Sequence, residues 1–231
     1  MKQIISIICM LPFVASAQVV KLEGAKVHQY KQVGETKLFL HVYNPDGHKD
    51  SDRKPAIVFF FGGGWNGGNP KQFEPHCQYL SQRGMVAITA EYRVKSRNKT
   101  TPFECVKDGK SAIRWVRANA NKLGVDPSRI AAGGGSAGGH VAAATGNCPG
   151  LEEKEEDKKV RSRPEALVLF NPVYDNSSKG YGYDRVKARW KEISPMHNIS
   201  EGAPPTIVFL GTKDKLIPVE TAQEYDRRMK A

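Results

Sequence analysis

The sequence predicts an α/β protein with a mostly parallel, doubly wound sheet and helices on both faces. Three observations predict it. Short, continuous apolar runs at 56–61, 86–90, 166–170 and 206–210 have the length and composition of strands buried on both faces. Segments with helical spacing alternate with these runs. The motifs at 62–64, 134–138 and 211–218, the first two glycine-rich, each lie just after a strand. In a parallel sheet that is the carboxyl edge, where ligand sites form. With 231 residues, 39% hydrophobic and 26% charged, the chain suits one such domain.

The elements follow in order. Residues 1–17 read as an export signal. Lys2 supplies the positive start, 4–15 an apolar core, and Ala15-Ser16-Ala17 a small-residue cleavage site. The apolar run is too short to span a bilayer. The mature domain is therefore expected to be 18–231, secreted or periplasmic, with no stable membrane insertion. Residues 37–43 alternate like an early antiparallel strand ending at Asn44-Pro45. The buried strand at 56–61 runs into three glycines. A helix is expected over 72–83, stopped by Gly84, and a second buried strand over 86–90. Ile113, Val116, Ala120 and Leu123 recur three and four apart, predicting an amphipathic helix over 106–123 that stops at Gly124. A strand over 129–133, a tight turn and a helix from Gly139 come next. Strands at 166–170 and 206–210 flank an irregular stretch, 171–205. A helix over 219–229 follows Pro218, a residue suited to a first helical turn.

The formal charge of +11 raises nucleic acid as a partner. The lysines and arginines are scattered and lack the aromatic interleaving of a binding module, so none is expected. The basic exterior still favours acidic surfaces at low salt. The densest charge run, 152–163, mixes both signs and reads as an exposed loop. Cys9 lies in the leader. Cys77, Cys105 and Cys148 match no zinc spacing and leave three arrangements open: one disulfide plus a free thiol, three buried thiols, or a pairing partner beyond residue 231.

Chemistry concentrates in three places. Gly134-Gly135-Ser136-Ala137-Gly138 joins a strand to a helix. Such a turn is tight and strained, and it lifts the Ser136 hydroxyl clear of the sheet at the positive end of the helix, as a nucleophile requires. Phe61-Gly62-Gly63-Gly64-Trp65 turns backbone amides into a cleft. With Ala137, Gly63 and Gly64 are candidate donors to a developing oxyanion, each worth roughly 3 to 4 kcal/mol in such a role. Trp65 and Asn66 are candidate pocket residues, and ordinary packing is an equal reading for Trp65. Asp214, just after the last strand, could orient an imidazole or simply cap a turn. No metal or cofactor is expected.

With these motifs, and with Glu91-Tyr92-Arg93 and Asp126-Pro127-Ser128-Arg129-Ile130, the chain resembles the α/β-hydrolase fold. Within it, the likeness is to exported esterases and lipases with an HGGGW-type loop, including acetylxylan-esterase-like and feruloyl-esterase-like members. The resemblance implies Ser136 as nucleophile, Asp214 as triad acid, and Gly63, Gly64 and Ala137 as oxyanion donors. Phe61 stands where the family often has a histidine that braces the loop. In this fold the triad runs serine, acid, histidine, yet all six histidines precede Asp214. The family's last strand and helix, with the catalytic histidine, are therefore expected beyond residue 231. Residues 206–210 would then be an apolar sheet edge, and the chain alone would be poorly active. His140 is expected packed beneath the turn and His76 on a helix surface. His197 is the upstream histidine that a fold-back would bring to the cleft. The expected activity is hydrolysis of small acyl esters through an acyl-enzyme, with a small-molecule or carbohydrate ester as substrate, such as acetylated plant polysaccharide. A peptidase of the same fold and a non-catalytic α/β-hydrolase-like binding protein are the alternatives.

Overall fold

The computed structural model describes residues 20–231, and the expected signal at 1–17 lies outside them. Seven strands, β1 (Lys26–Val33), β2 (Thr36–Tyr43), β3 (Lys54–Phe60), β4 (Val86–Ala90), β5 (Val125–Gly135), β6 (Ala166–Phe170) and β7 (Thr206–Phe209), form one sheet. Their order is β1-β2-β4-β3-β5-β6-β7. The pairs β1–β2 and β2–β4 are antiparallel and all other neighbours are parallel. Among the described residues six helices accompany them: α1 (Glu74–Ser81), α2 (Lys95–Asn98), α3 (Pro102–Ala118), α4 (Ala137–Asn147), α5 (Tyr183–Val186) and α6 (Val219–Met229).

The period-two alternation of the strands divides the core between the two faces. Ala56, Val58 and Phe60 of β3 pack in one cluster with Ile113 and Val116 of α3, Val141 and Ala142 of α4, and Tyr225 of α6. Their neighbours Ile57 and Phe59 pack in another with Phe73 and with Cys77 of α1. The expected two-faced architecture is present.

Several boundaries differ from expectation, each for a local reason. The third helix begins at Pro102 rather than 106, because Thr101 and Glu104 form a capping box and Glu104 accepts the Thr101 amide at 2.8 Å. It ends at Ala118, and the apolar positions Ala120 and Leu123 belong to a buried turn instead. The segment expected as one helix over 72–83 is a 3-10 turn at Pro70–Phe73 followed by α1, with Asn69 accepting the Lys71 amide. The stretch 171–205 contains α5 and two 3-10 turns.

The charge run at 152–163 needs a larger correction. It has no regular structure, but it is not simply a solvated loop. Glu152 pairs with Lys110 at 3.0 Å and with Arg114, Glu156 pairs with Arg114, and Glu153 pairs with Lys31 at 2.8 Å. All three cations are buried. Lys31 reaches inward because the β1 register shifts between Gln29 and Lys31, so that Tyr30 and Lys31 are both buried although adjacent.

Among the described residues, Cys77, Cys105 and Cys148 are three free, buried thiols. Burial pushes the Cys148 thiol up to about 12 and raises Cys77 and Cys105 as well, which makes all three unreactive. The strand β7 is a sheet edge, with Ile207 and Phe209 about half exposed. Among the described residues no helix is long and apolar enough to cross a membrane.

Candidate active site

Parallel pairing aligns the carboxyl ends of β3, β5, β6 and β7, where the motifs meet. Phe60 pairs with Gly134, Gly135 with Phe170, and Phe170 with Phe209. Ser136 leaves β5 with φ 52° and ψ −120°. A non-glycine residue held there carries about 1 to 3 kcal/mol of strain, which its surroundings must overcome. They do so through the backbone. The Ser136 amide donates to Phe170 O at 2.9 Å, and its carbonyl accepts from the His140 amide at 3.0 Å. Its Oγ has no hydrogen bond among the described residues, and the residue is half-buried.

Glycines make this turn possible by close approach. A Cβ on Gly138 would lie 2.0 Å from Phe60 O, so α4 can start only where that position has none. A Cβ on Gly62 would lie 2.9 Å from Gly135 O and 3.3 Å from the Ser136 Cβ. The three-glycine loop is therefore packed directly against the serine turn. Among the described residues, the amides of Gly63 and Gly64 donate to nothing. Ala137 is the first residue of α4, whose opening amides have no partners within the helix. Gly62 thus brings the loop against the serine turn, Ala137 follows Ser136 directly, and the Gly63 and Gly64 amides of the same loop have no partner among the described residues.

The loop is supported without a histidine at its first position. The Tyr92 hydroxyl donates to Phe61 O at 2.6 Å, and the two rings stack at 4.1 Å. The Gly62 amide donates to Gln72 Oε1 at 2.5 Å, and Arg185 Nη1 donates to Gly64 O at 2.7 Å. Gln72 and Arg185 were not legible as site residues. Arg185 is 121 positions from its partner, and no local pattern marks such a contact.

Asp214 lies in the loop after β7, at the same edge of the sheet. Two strand spacings, about 10 Å, separate β7 from β5. Its Oδ1 accepts the amides of Leu216 and Ile217 at 2.8 and 2.9 Å, so the carboxylate braces its own turn. The structure pairs it with no histidine among the described residues.

The histidines are otherwise engaged. His140 is fully buried, accepts Trp65 Nε1–H at Nδ1 (3.2 Å), and donates from Nε2 to Ile193 O (2.7 Å). Burial lowers its pKa to about 4, against the opposing pull of the Ile193 and Asn176 hydrogen bonds. It is a neutral structural link between α4 and the loop. His197 sits with Nδ1 2.9 Å from Ser194 Oγ and 3.7 Å from Asp175, its ring edge-on to Trp190. His76 is exposed on α1, against Phe170.

The state of His140 carries a prediction. Because its folded pKa is depressed from 6.5, the unfolded chain takes up the proton first, and acid favours unfolding. The stability it confers is complete above pH 6.5 and is lost as pH falls toward 4, roughly 3 kcal/mol in all. Urea unfolding at pH 7.5 and pH 4.5 should show a steeper loss in the native chain than in His140→Gln.

Trp65 and Asn66 border a cavity of about 510 Å³ whose lining does not include Ser136. Trp65 is only 2% exposed, so its bulk is core, and its indole serves mainly to hold His140.

Known proteins share the fold of this chain. The sequence profile named BD-FAE matches residues 40–178. Esterase LipC of Mycobacterium tuberculosis is 31% identical over 206 residues, covering 79% of this chain and 50% of its own length. The probable carboxylic ester hydrolase LipM of the same organism is 32% identical, covering 74% and 44%. The chain thus spans about half the length of the curated relatives it matches. Among solved structures, Thermogutta terrifontis esterase 2 phosphoramylated by tabun superposes with a TM-score of 0.88 at 49% identity, covering 91% of this chain and 80% of that one. The same esterase has been solved with propionate bound, at 48% identity, a TM-score of 0.86, and coverage of 90% and 79%. The two-faced, mostly parallel sheet, the serine turn at its carboxyl edge and these matches lead to one conclusion: the chain has the α/β-hydrolase fold and belongs to the BD-FAE family.

Proposed function

We propose that this protein is a serine carboxylesterase acting on short acyl esters. The observation that carries the reading is the juxtaposition at Ser136. A hydroxyl on a strained backbone stands beside a glycine loop, and neither the hydroxyl nor the Gly63 and Gly64 amides have a hydrogen-bond partner among the described residues. In the proposed reaction Ser136 Oγ attacks the ester carbonyl and its proton passes to a base. The oxyanion is held by Gly63, Gly64 and Ala137. The alcohol leaves with the proton, and water then repeats the sequence to release the acid. Asp214 is the proposed orienting carboxylate. The base is proposed to be a histidine outside residues 1–231. Support comes from the positions of His140, His197 and His76, none of which is hydrogen-bonded to Ser136 among the described residues.

Small acyl groups are favoured by the propionate- and butyrate-bound forms of the Thermogutta esterase. Acetyl groups on exported carbohydrate are the narrower proposal, resting on the sequence resemblance and the expected leader at 1–17. The test is a series of 4-nitrophenyl esters from acetate to laurate, with the butyryl 4-nitroanilide alongside, in the presence of imidazole as a diffusible base. Turnover that depends on the chain, peaks at two to four acyl carbons and is absent for the anilide is expected. Preference for the anilide would make the protein a peptidase. No turnover and no labelling of Ser136 by a fluorophosphonate would make it a binding protein.

A further inference from the structure

The cavity beside the glycine loop is not accounted for by the reaction above. It encloses about 510 Å³ and is lined by Gly64, Lys95, Lys99, Thr100, Asp184 and Arg185, among others. Its walls are fixed to the loop by three consecutive carbonyls. Gly64 O accepts Arg185 Nη1 at 2.7 Å, Trp65 O accepts the Lys95 amide at 3.0 Å, and Asn66 O accepts the Ser96 amide at 3.0 Å. The cavity is therefore tied by hydrogen bonds to the loop that carries the candidate oxyanion donors.

Its charge is unbalanced. Lys95, Lys99 and Arg185 contribute three cations, and none forms an ion pair among the described residues. Asp184 is the one acid in the lining. Lys95 opens α2 and Lys99 follows its last residue, and both line the cavity. The Lys99 backbone is held left-handed at φ 54° as the cap of α2, which fixes where its side chain departs. Arg185 is further set by stacking over Trp65 and Tyr181 at 5.5 and 5.3 Å. A fourth polar group is Thr100 Oγ1, buried without a hydrogen bond among the described residues. Two lysines, a fixed guanidinium and a spare hydroxyl suit a small oxyanion with several acceptor atoms.

We propose that this cavity is a subsite for a carboxylate carried by the ester substrate, of the kind borne by a uronic sugar. That it serves a substrate rests on the esterase reading; that it binds a carboxylate does not. One residue, Gly64, both lines the cavity and is a candidate oxyanion donor, so a carboxylate held here sits against the loop proposed to hold the reacting ester. The scattered positive charge of the exterior would draw such an acidic substrate in.

The experiment is calorimetric titration of the whole chain with sodium glucuronate, glucose and inorganic phosphate. Saturable binding of glucuronate is expected, at least about tenfold tighter than glucose, the difference one charge-assisted contact makes. The double variant Lys95→Gln/Lys99→Gln should lose about tenfold in glucuronate affinity by the same reasoning. Raising sodium chloride to about 0.5 M should weaken glucuronate binding to the native chain as the lysine charges are screened, a readout that needs no variant to fold. Ser136→Ala should bind glucuronate unchanged. Equal binding of glucose, salt-insensitive binding, or unaltered binding by a folded double variant would overturn the proposal. Phosphate binding more tightly than glucuronate would reassign the site to a phosphoryl group and overturn it too. Glucuronate binding with no esterase activity under any condition would sink the esterase reading and leave the carboxylate site standing.

Discussion

Ser136→Ala is expected to reduce ester turnover on the order of a millionfold in any form of the protein in which Ser136 has its proposed histidine base, and far less in residues 1–231 alone if that base lies outside them. The difference follows from how triads work. Nucleophile and base act as a unit, and removing either costs about as much as removing both, on the order of 10⁶ in comparable enzymes. A chain whose serine has no base has already lost most of that factor. What remains comes from binding and from the amides of the glycine loop, and Ser136→Ala leaves those amides in place. The measurement is kcat on 4-nitrophenyl butyrate for four proteins: each length, with serine and with alanine. Strong non-additivity is the expected result. A millionfold loss from Ser136→Ala in residues 1–231 alone would mean that the base is already present. His197 would then be the first histidine to reconsider, being half-buried near Asp175.

The second large effect concerns stability. Asp108 on α3 is fully buried and serves two buried cations. Its Oδ2 accepts the Arg93 amide and Arg93 Nε at 3.0 and 2.8 Å, its Oδ1 accepts Arg93 Nη2 at 2.8 Å, and Lys31 Nζ lies 2.6 Å from Oδ1. Burial acts to lower the Arg93 pKa, and the Asp108 bonds outweigh it, so the guanidinium stays charged. Asp108→Ala leaves Arg93 and Lys31 buried with Glu153 as their shared counter-charge. Breaking such a pair by removing one partner costs about 3 to 5 kcal/mol. Glu153 is partly exposed, at 26% of its side chain, so water replaces it more readily. Glu153→Gln is expected to cost no more than about 1 kcal/mol. Urea unfolding of both variants at pH 7 checks the contrast. Similar losses would mean that the cluster holds the 152–163 loop rather than the join between β1 and α3.

The architecture was legible because strands buried on both faces leave an unmistakable record. Residues 56–61 and 86–90 are apolar at every position or nearly so, and only the centre of a covered parallel sheet asks for that. The serine turn was legible for a similar reason. Ser136 needs φ 52°, Gly138 has a carbonyl 2.0 Å from where a Cβ would be, and such demands restrict the residue types themselves. Helix ends were less legible, because the Thr101–Glu104 cap that starts α3 carries no apolar period.

The amino-acid sequence by itself determined the layering of this protein, the turn that raises Ser136 and the glycines around it. Each depends on steric or apolar requirements that a residue meets alone or with near neighbours. Only the tertiary structure decided what braces the glycine loop, which ions the 152–163 run neutralises, and that three lysine and arginine side chains share one cavity. Those partners are distant in the chain: Gly64 and Arg185, Lys31 and Asp108, Arg114 and Glu152. Charges and hydrogen bonds act through space, and a side chain's partner is set by which strands and helices the fold has brought together.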